Sequence, residues 1–200
     1  MSALTPAILD RFIANPDAGG RHEITIHAAA GFVLDKAHNF DIESVRMVSA
    51  IFWLRAKLLR APLPAEKTHV GLVANMEGLG WGCLAEESGH YYAAGAVCQP
   101  WLPDVAFSAV TPEEFSSYAA PNQVKIAWTI EADALGPDLT RFATETRAAA
   151  TDERSRVQFR KYWRKFGIGI ILIRLLLLPA VRREAERQWK AGQNARVLVR

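Results

Sequence analysis

The 200-residue sequence holds only two cysteines, Cys83 and Cys98, with no CxxC between or around them. A disulfide framework or a cysteine-based zinc site needs more, so two small thiols in a reducing, cytoplasmic setting are expected. Histidine is sparse too. His22, His27, His38, His69 and His90 show no HxxxH or HxH spacing, so neither a metal site nor a histidine-based triad is expected. No serine stands in a GxSxG elbow. Gly78, Gly80 and Gly82 are spaced glycines without a following helix, which is not the context of a phosphate or dinucleotide loop, and no cofactor is expected. The first six residues lack a basic segment followed by an apolar one and do not read as a signal peptide. The longest apolar run, Ile168–Val181, has 14 residues and is interrupted by Gly169 and Arg174. A spanning helix wants roughly 20.

What is present suits a globular chain: half of the residues are apolar and 22% are charged. The charge is uneven. Residues 1–151 carry 11 basic and 17 acidic groups, whereas residues 152–200 carry 13 basic and 4 acidic. The basic end fits either an anionic partner or the solvated face of a long helix. Tyr162 and Trp163 interleave with basic residues, but they fall on an apolar stripe and no RNP-type motif is present, so no nucleic-acid partner is expected.

Local patterns give an element order. Thr5-Pro6 reads as a cap before a short helix over residues 7–14, and His22–His27 alternates as a strand. Helices are expected over Ala28–His38 and from Asp41 to about Leu59, where Pro62 and Pro64 follow. Strands follow over Leu79–Glu86, His90–Gln99, Val105–Val110, Gln123–Ala132 and Leu139–Ala149, with a capped helical turn at Thr111-Pro112-Glu113-Glu114. Thr151-Asp152 opens a long helix, in which Phe159, Trp163, Phe166, Ile170, Ile173 and Leu177 recur at steps of 4, 3, 4, 3 and 4. Pro179 is expected to kink or end it. Strands beside segregated helices argue an α+β domain with an antiparallel sheet. The expected organisation is a helix and loop over 1–20, the domain over 21–190, and a frayed tail over 191–200.

Strand parity marks a candidate site. Trp81 with Leu79, Cys83 and Ala85 should share a face, as should Tyr92 with Ala94, Ala96 and Cys98. The same holds for Trp128 with Val124, Ile126 and Ile130, and for Phe142 with Thr144 and Thr146. Aromatics, small residues and a few hydroxyls on one concave face suit an apolar ligand pocket, with Trp163 of the last helix as a further wall. Arg141, Glu145 and Arg147 fall on the opposite parity and are expected to form a solvated face with cross-strand pairs.

Several segments resemble a known family. Thr144-Glu145-Thr146-Arg147, Thr151-Asp152 and Arg156-Val157-Gln158-Phe159-Arg160-Lys161-Tyr162-Trp163 look like the end of a bacterial subset of START-like proteins. These belong to the polyketide cyclase and lipid-transport group, also called SRPBCC. Gly95-Ala96-Val97, Gln99-Pro100-Trp101 and Pro112-Glu113-Glu114-Phe115 resemble the same subset. The likeness spans residues 22–187, by element order more than by motif. It implies a helix-grip fold, in which a curved antiparallel sheet of about six or seven strands wraps around a long C-terminal helix. Residues Thr68–Met76, with Val70, Leu72, Val73 and Ala74, are then expected to supply a missing strand. The wider group binds lipids, sterols, hormones or polyketides, and a few members are cyclases or hydrolases. No catalytic residue pattern carries over to this chain.

Three readings follow. The first is a noncatalytic carrier or sensor of a small hydrophobic ligand such as a lipid or polyketide. Trp81, Tyr92, Trp128, Phe142 and Trp163 would line its pocket, and Thr144 and Thr146 would orient a polar end. The second is a cyclase- or hydrolase-like enzyme with Tyr92, Glu86 or Glu145 as acid–base groups. The third is a peripheral membrane or protein-interaction module. It would use Ile168, Ile171, Leu175 and Leu178, flanked by Arg160–Lys165 and by Arg182 and Arg183.

Overall fold

The computed structural model describes residues 7–42, 45, 57–58 and 70–198. Among the described residues, five strands form one antiparallel sheet: β1 (Ala18–Ile26), β2 (Gly82–Glu87), β3 (Tyr91–Cys98), β4 (Val124–Gly136) and β5 (Leu139–Ala150). Their spatial order is β1-β5-β4-β3-β2, so the first two strands in sequence lie at opposite edges. The connection between them carries α1 (Ala30–His38) and α2 (Leu72–Gly78). A short α3 (Pro112–Ser117) follows β3, and α4 (Glu153–Leu198) closes the described chain. The sheet wrapped around this long C-terminal helix is a helix-grip, START-like architecture.

Two hairpins build most of the sheet. Gly89, at φ 77°, turns β2 into β3, a left-handed conformation that glycine adopts without a Cβ penalty. Strands β4 and β5 pair from Val124↔Ala150 to Gly136↔Leu139 across a two-residue turn. Chain β1 then adds to the free edge of β5, with Arg21 opposite Glu145 and Ile24 opposite Phe142. The predicted cap of α3 forms. The Thr111 hydroxyl accepts from the Glu114 amide and donates to the Glu114 carboxylate at 3.0 Å. Helix α4 is capped at Asp152, whose Oδ1 accepts from the Ser155 amide at 2.7 Å.

Both faces of the sheet are covered. The inner face carries Ile26, Tyr92, Ala94, Ala96, Trp128, Ile130, Ala132 and Phe142, packed against α1 and the Leu178–Ala185 part of α4. The outer face carries Leu84, Val97 and Ala127 under Leu9, Phe12, Ile13 and Phe115. Gly95 sits where the layers come closest. A Cβ there would stand 2.6 Å from a Leu84 methyl and 2.8 Å from the Phe115 ring.

Several expectations are corrected. Residues 7–14 form only a 3-10 turn, Ile8–Arg11, held flat on the outer face. Val105–Val110 is not a strand, because only Ser108 bridges to Val97. Residues 72–78 form α2, not a strand; Val73 is buried while Ala74 is exposed, and Met76 and Leu72 pack on the same inner cluster. Among the described residues the sheet therefore has five strands, fewer than six or seven. A bulge between Cys83 and Ala85 breaks the parity of β2, and both Leu84 and Ala85 join the outer layer. Leu79 caps α2 and is exposed. Pro179 does not end the last helix, which continues to Leu198. Nearly all of the expected helix from Asp41 to Leu59 lies outside the described residues.

Candidate functional site

Three of the predicted wall residues meet on the inner face. The Tyr92 and Trp128 rings lie 5.9 Å apart, and Trp81 and Trp128 6.5 Å apart. Phe107 stacks near Trp81 at 5.1 Å, and His38 of α1 meets Tyr92 edge-on at 5.6 Å. Strand parity reaches neither Phe107 nor His38, since one lies on an irregular loop and the other on a separate helix. Phe142 belongs to the same buried cluster. Small residues, Ala94 and Ala96, pave the floor between the rings.

The polar atoms of this wall are unevenly satisfied. The Tyr92 hydroxyl donates to Glu77 Oε1 at 3.1 Å. Burial, the hydrogen bond to Glu77 and that carboxylate's charge push the Tyr92 pKa well up. The Trp81 and Trp128 indole N–H groups are buried and have no acceptor among the described residues. Buried donors are almost always paired, and an unpaired one costs about 1–3 kcal/mol.

Thr144 and Thr146 lie half-buried on the same face, nearer the β1 edge. The Thr144 hydroxyl donates to the Thr129 carbonyl at 2.7 Å. Trp163 stands apart. It packs with Phe159, Tyr162, Val124 and Ala148 near the start of α4 and borders an open surface groove of about 370 Å³. A second open groove of about 370 Å³ is lined by Asp10, Gly20, Arg21, Glu145 and Arg147.

The expectation of a solvated Arg141–Glu145–Arg147 face is corrected in part. Arg141 is exposed and pairs with Asp133 at 2.9 Å. Glu145 is buried between Arg147 Nε at 2.6 Å and Arg21 Nη1 at 3.5 Å. Arg21 also holds Glu131 at 2.8 Å, and Arg147 reaches Asp10 at 2.6 Å and the Ile13 carbonyl at 2.8 Å. The 7–17 segment lies over part of this face, so Glu145 is buried within an ion-pair network whose outer members, Arg21 and Asp10, stay exposed. Glu145 thus faces away from the aromatic wall, and Glu86 is exposed beside the β2–β3 turn. Among the described residues no cluster of three or more metal-ligating side chains occurs.

On α4, Ile168, Ile171, Leu172 and Leu175 are exposed, with Ile168 at 70%. Leu178 is not part of that surface. It is 4% exposed and packs in the inner core, because it lies one turn beyond the buried Arg174 on the sheet-facing side. No helix among the described residues is long and apolar enough to cross a membrane.

No family model matches this chain. No curated protein matches it. Two solved structures align over most of it. One is the Zhui aromatase/cyclase from Streptomyces sp. R1128, at 14% identity and a TM-score of 0.30, covering 86% of this chain and 94% of that one. The other is a conserved protein from Geobacillus kaustophilus, at 8% identity and a TM-score of 0.34, covering 85% and 96%.

Proposed function

We propose that this protein binds a small hydrophobic ligand between α4 and the inner face of the sheet, without catalysing a reaction on it. The observation that carries the reading is the pair of buried indole N–H groups of Trp81 and Trp128, without an acceptor among the described residues, in an aromatic wall floored by alanines. Ligand sites are mostly apolar, with a few placed polar groups that fix orientation. An oxygen on the ligand would satisfy these two donors. The noncatalytic part rests on the acid–base candidates. Glu145 is held by two arginines on the far face, Glu86 is exposed, and the Tyr92 proton is retained by burial and Glu77.

Uptake of the apolar fluorophore N-phenyl-1-naphthylamine tests the reading. Wild-type protein should bind it in the micromolar range or tighter, with quenching of tryptophan emission, and Trp128→Ala should weaken binding at least tenfold while remaining folded by circular dichroism. Equal binding by Trp128→Ala and by an Arg141→Gln surface control would refute the placement of the site.

A second reading has its own observation. The exposed Ile168, Ile171, Leu172 and Leu175 lie between Arg160–Lys165 and Arg182 and Arg183. An apolar band with basic flanks suits the surface of an anionic bilayer. Binding to phosphatidylglycerol vesicles, but not phosphatidylcholine vesicles, that weakens from 50 to 300 mM salt is the expected signature. Indifference to lipid charge would remove it.

A further inference from the structure

A buried cation sits in the middle of α4. Arg174 is 8% exposed and lies on the sheet-facing side, in the row Gly167, Arg174, Leu178, Val181 and Ala185. Its Nη1 donates to the Gly20 carbonyl of β1 at 3.1 Å. A guanidinium carries five N–H donors and a full charge; Nη1 is held by the Gly20 carbonyl, and the other nitrogens are not sealed among protein atoms and are free to meet a ligand. No ion pair holds Arg174 among the described residues. The carboxylate whose field reaches it is Glu145, which lies on the other face of the sheet and is already engaged by Arg21 and Arg147.

The surroundings of Arg174 form a polar band between two apolar clusters. On one side lie Phe159 and Tyr162 with Val124 and Ala148; on the other lie Trp128, Phe142, Leu178 and Val181. Between them, on the inner face, β1 presents Gly20 and His22, and β5 presents their partners Thr146 and Thr144. The three side chains His22, Thr144 and Thr146 are only half-buried, so this part of the inner face is less tightly covered than the clusters beside it. Gly20 leaves the floor open. A Cβ there would touch the Arg174 guanidinium at 3.6 Å and the His22 ring at 3.8 Å.

We infer that Arg174 is the anchor for a carboxylate on the bound ligand, which is therefore an apolar acid rather than a neutral lipid or sterol. This rests on the proposed ligand-binding reading and specifies its ligand class. The acid group would accept two parallel N–H bonds from Arg174, with His22 and the Thr146 hydroxyl beside it. The body would run from there along the inner face toward Trp128 and Trp81, where an oxygen on the natural ligand would meet their N–H groups. A buried arginine matches a carboxylate in geometry and charge, and desolvation makes the pairing selective against an alcohol or amide of equal size. A lysine would keep the charge but lose the planar fork.

The test is calorimetric titration of the whole protein with decanoate and with decanol, for wild type, Arg174→Met and Arg174→Lys, at neutral pH. Wild type should bind decanoate at least tenfold tighter than decanol. Arg174→Met should bind both at the decanol affinity, and Arg174→Lys should keep part of the preference. Circular dichroism confirms that each variant folds; should Arg174→Met fail to, the wild-type and Arg174→Lys comparison still decides. Equal binding of acid and alcohol by wild type would overturn the anchor and leave the ligand-binding reading standing. Persistence of the acid preference in Arg174→Met would also overturn it. Binding of neither probe by wild type would overturn both.

Discussion

Replacing Arg174 with methionine should make the ligand-free protein more stable, which is unusual for the removal of a hydrogen-bonded core residue. Methionine matches much of the reach of arginine and carries no charge. Burial pushes the Arg174 pKa down from its ordinary value to about 10, with the distant Glu145 pulling the other way. An ordinary guanidinium titrates above 12, so the fall spans more than two tenfold steps, or about 3 kcal/mol at 1.36 kcal/mol per step. Losing the bond to the Gly20 carbonyl takes back about 1–2 kcal/mol. The net expectation is a gain of about 1–2 kcal/mol. Urea unfolding followed by circular dichroism reads it as a higher midpoint at unchanged slope. The sign with pH is fixed. The folded pKa lies below the unfolded one, so the cost of the charge is fully present below about pH 10 and is relieved as pH rises through the folded value. The advantage of Arg174→Met over wild type should therefore be constant from pH 6 to 9 and shrink above 10. A loss of more than about 1 kcal/mol in Arg174→Met would instead mean that the arginine is part of a productive structural pairing in the ligand-free protein.

Other substitutions should act through packing and pairing. Arg147→Met leaves Glu145 with only the longer Arg21 contact and releases Asp10 and the Ile13 carbonyl; breaking a buried pair from one side should cost about 3 kcal/mol in urea unfolding. Gly95→Ala forces a methyl group against Leu84 and Phe115 and should cost about 1–3 kcal/mol by the same assay. Thr111→Ala removes the cap of α3 and should cost about 1 kcal/mol, visible as a lower midpoint at unchanged slope. Trp128→Phe keeps a ring but deletes the unpaired N–H. It should cost little stability yet lower affinity for oxygen-bearing apolar probes, as measured by calorimetry.

The strands were legible where alternation is strict. Tyr92 with Ala94 and Ala96, Trp128 with Ile126 and Ile130, and Phe142 all reach the inner face as their parity requires. The α3 cap was legible because Thr-Pro-Glu-Glu has one local solution. Parity failed in β2, where one extra residue at the bulge sends Leu84 and Ala85 outward; no residue type announces that. It also misjudged Glu145 and Arg147. A charged alternate face reads as solvated unless one knows that residues 7–17 fold back over it, a contact made across more than 100 positions of chain. The stripe expected on α4 lies about one residue out of phase with the face that is buried. Trp163, Phe166, Ile170, Ile173 and Leu177 are half-buried, while Tyr162, Arg174, Leu178 and Val181 are buried. A run apolar on nearly all sides has no periodic contrast to choose its face, and by sequence Arg174 only interrupts it.

The most direct test of ligand binding is native mass spectrometry of the protein as purified, with the same sample denatured as control. The native protein should carry an excess mass that disappears on denaturation and corresponds to a small, carboxylate-bearing apolar molecule. A native spectrum showing only the bare chain, under conditions that preserve the complex with added decanoate for other acid-binding proteins, would contradict it.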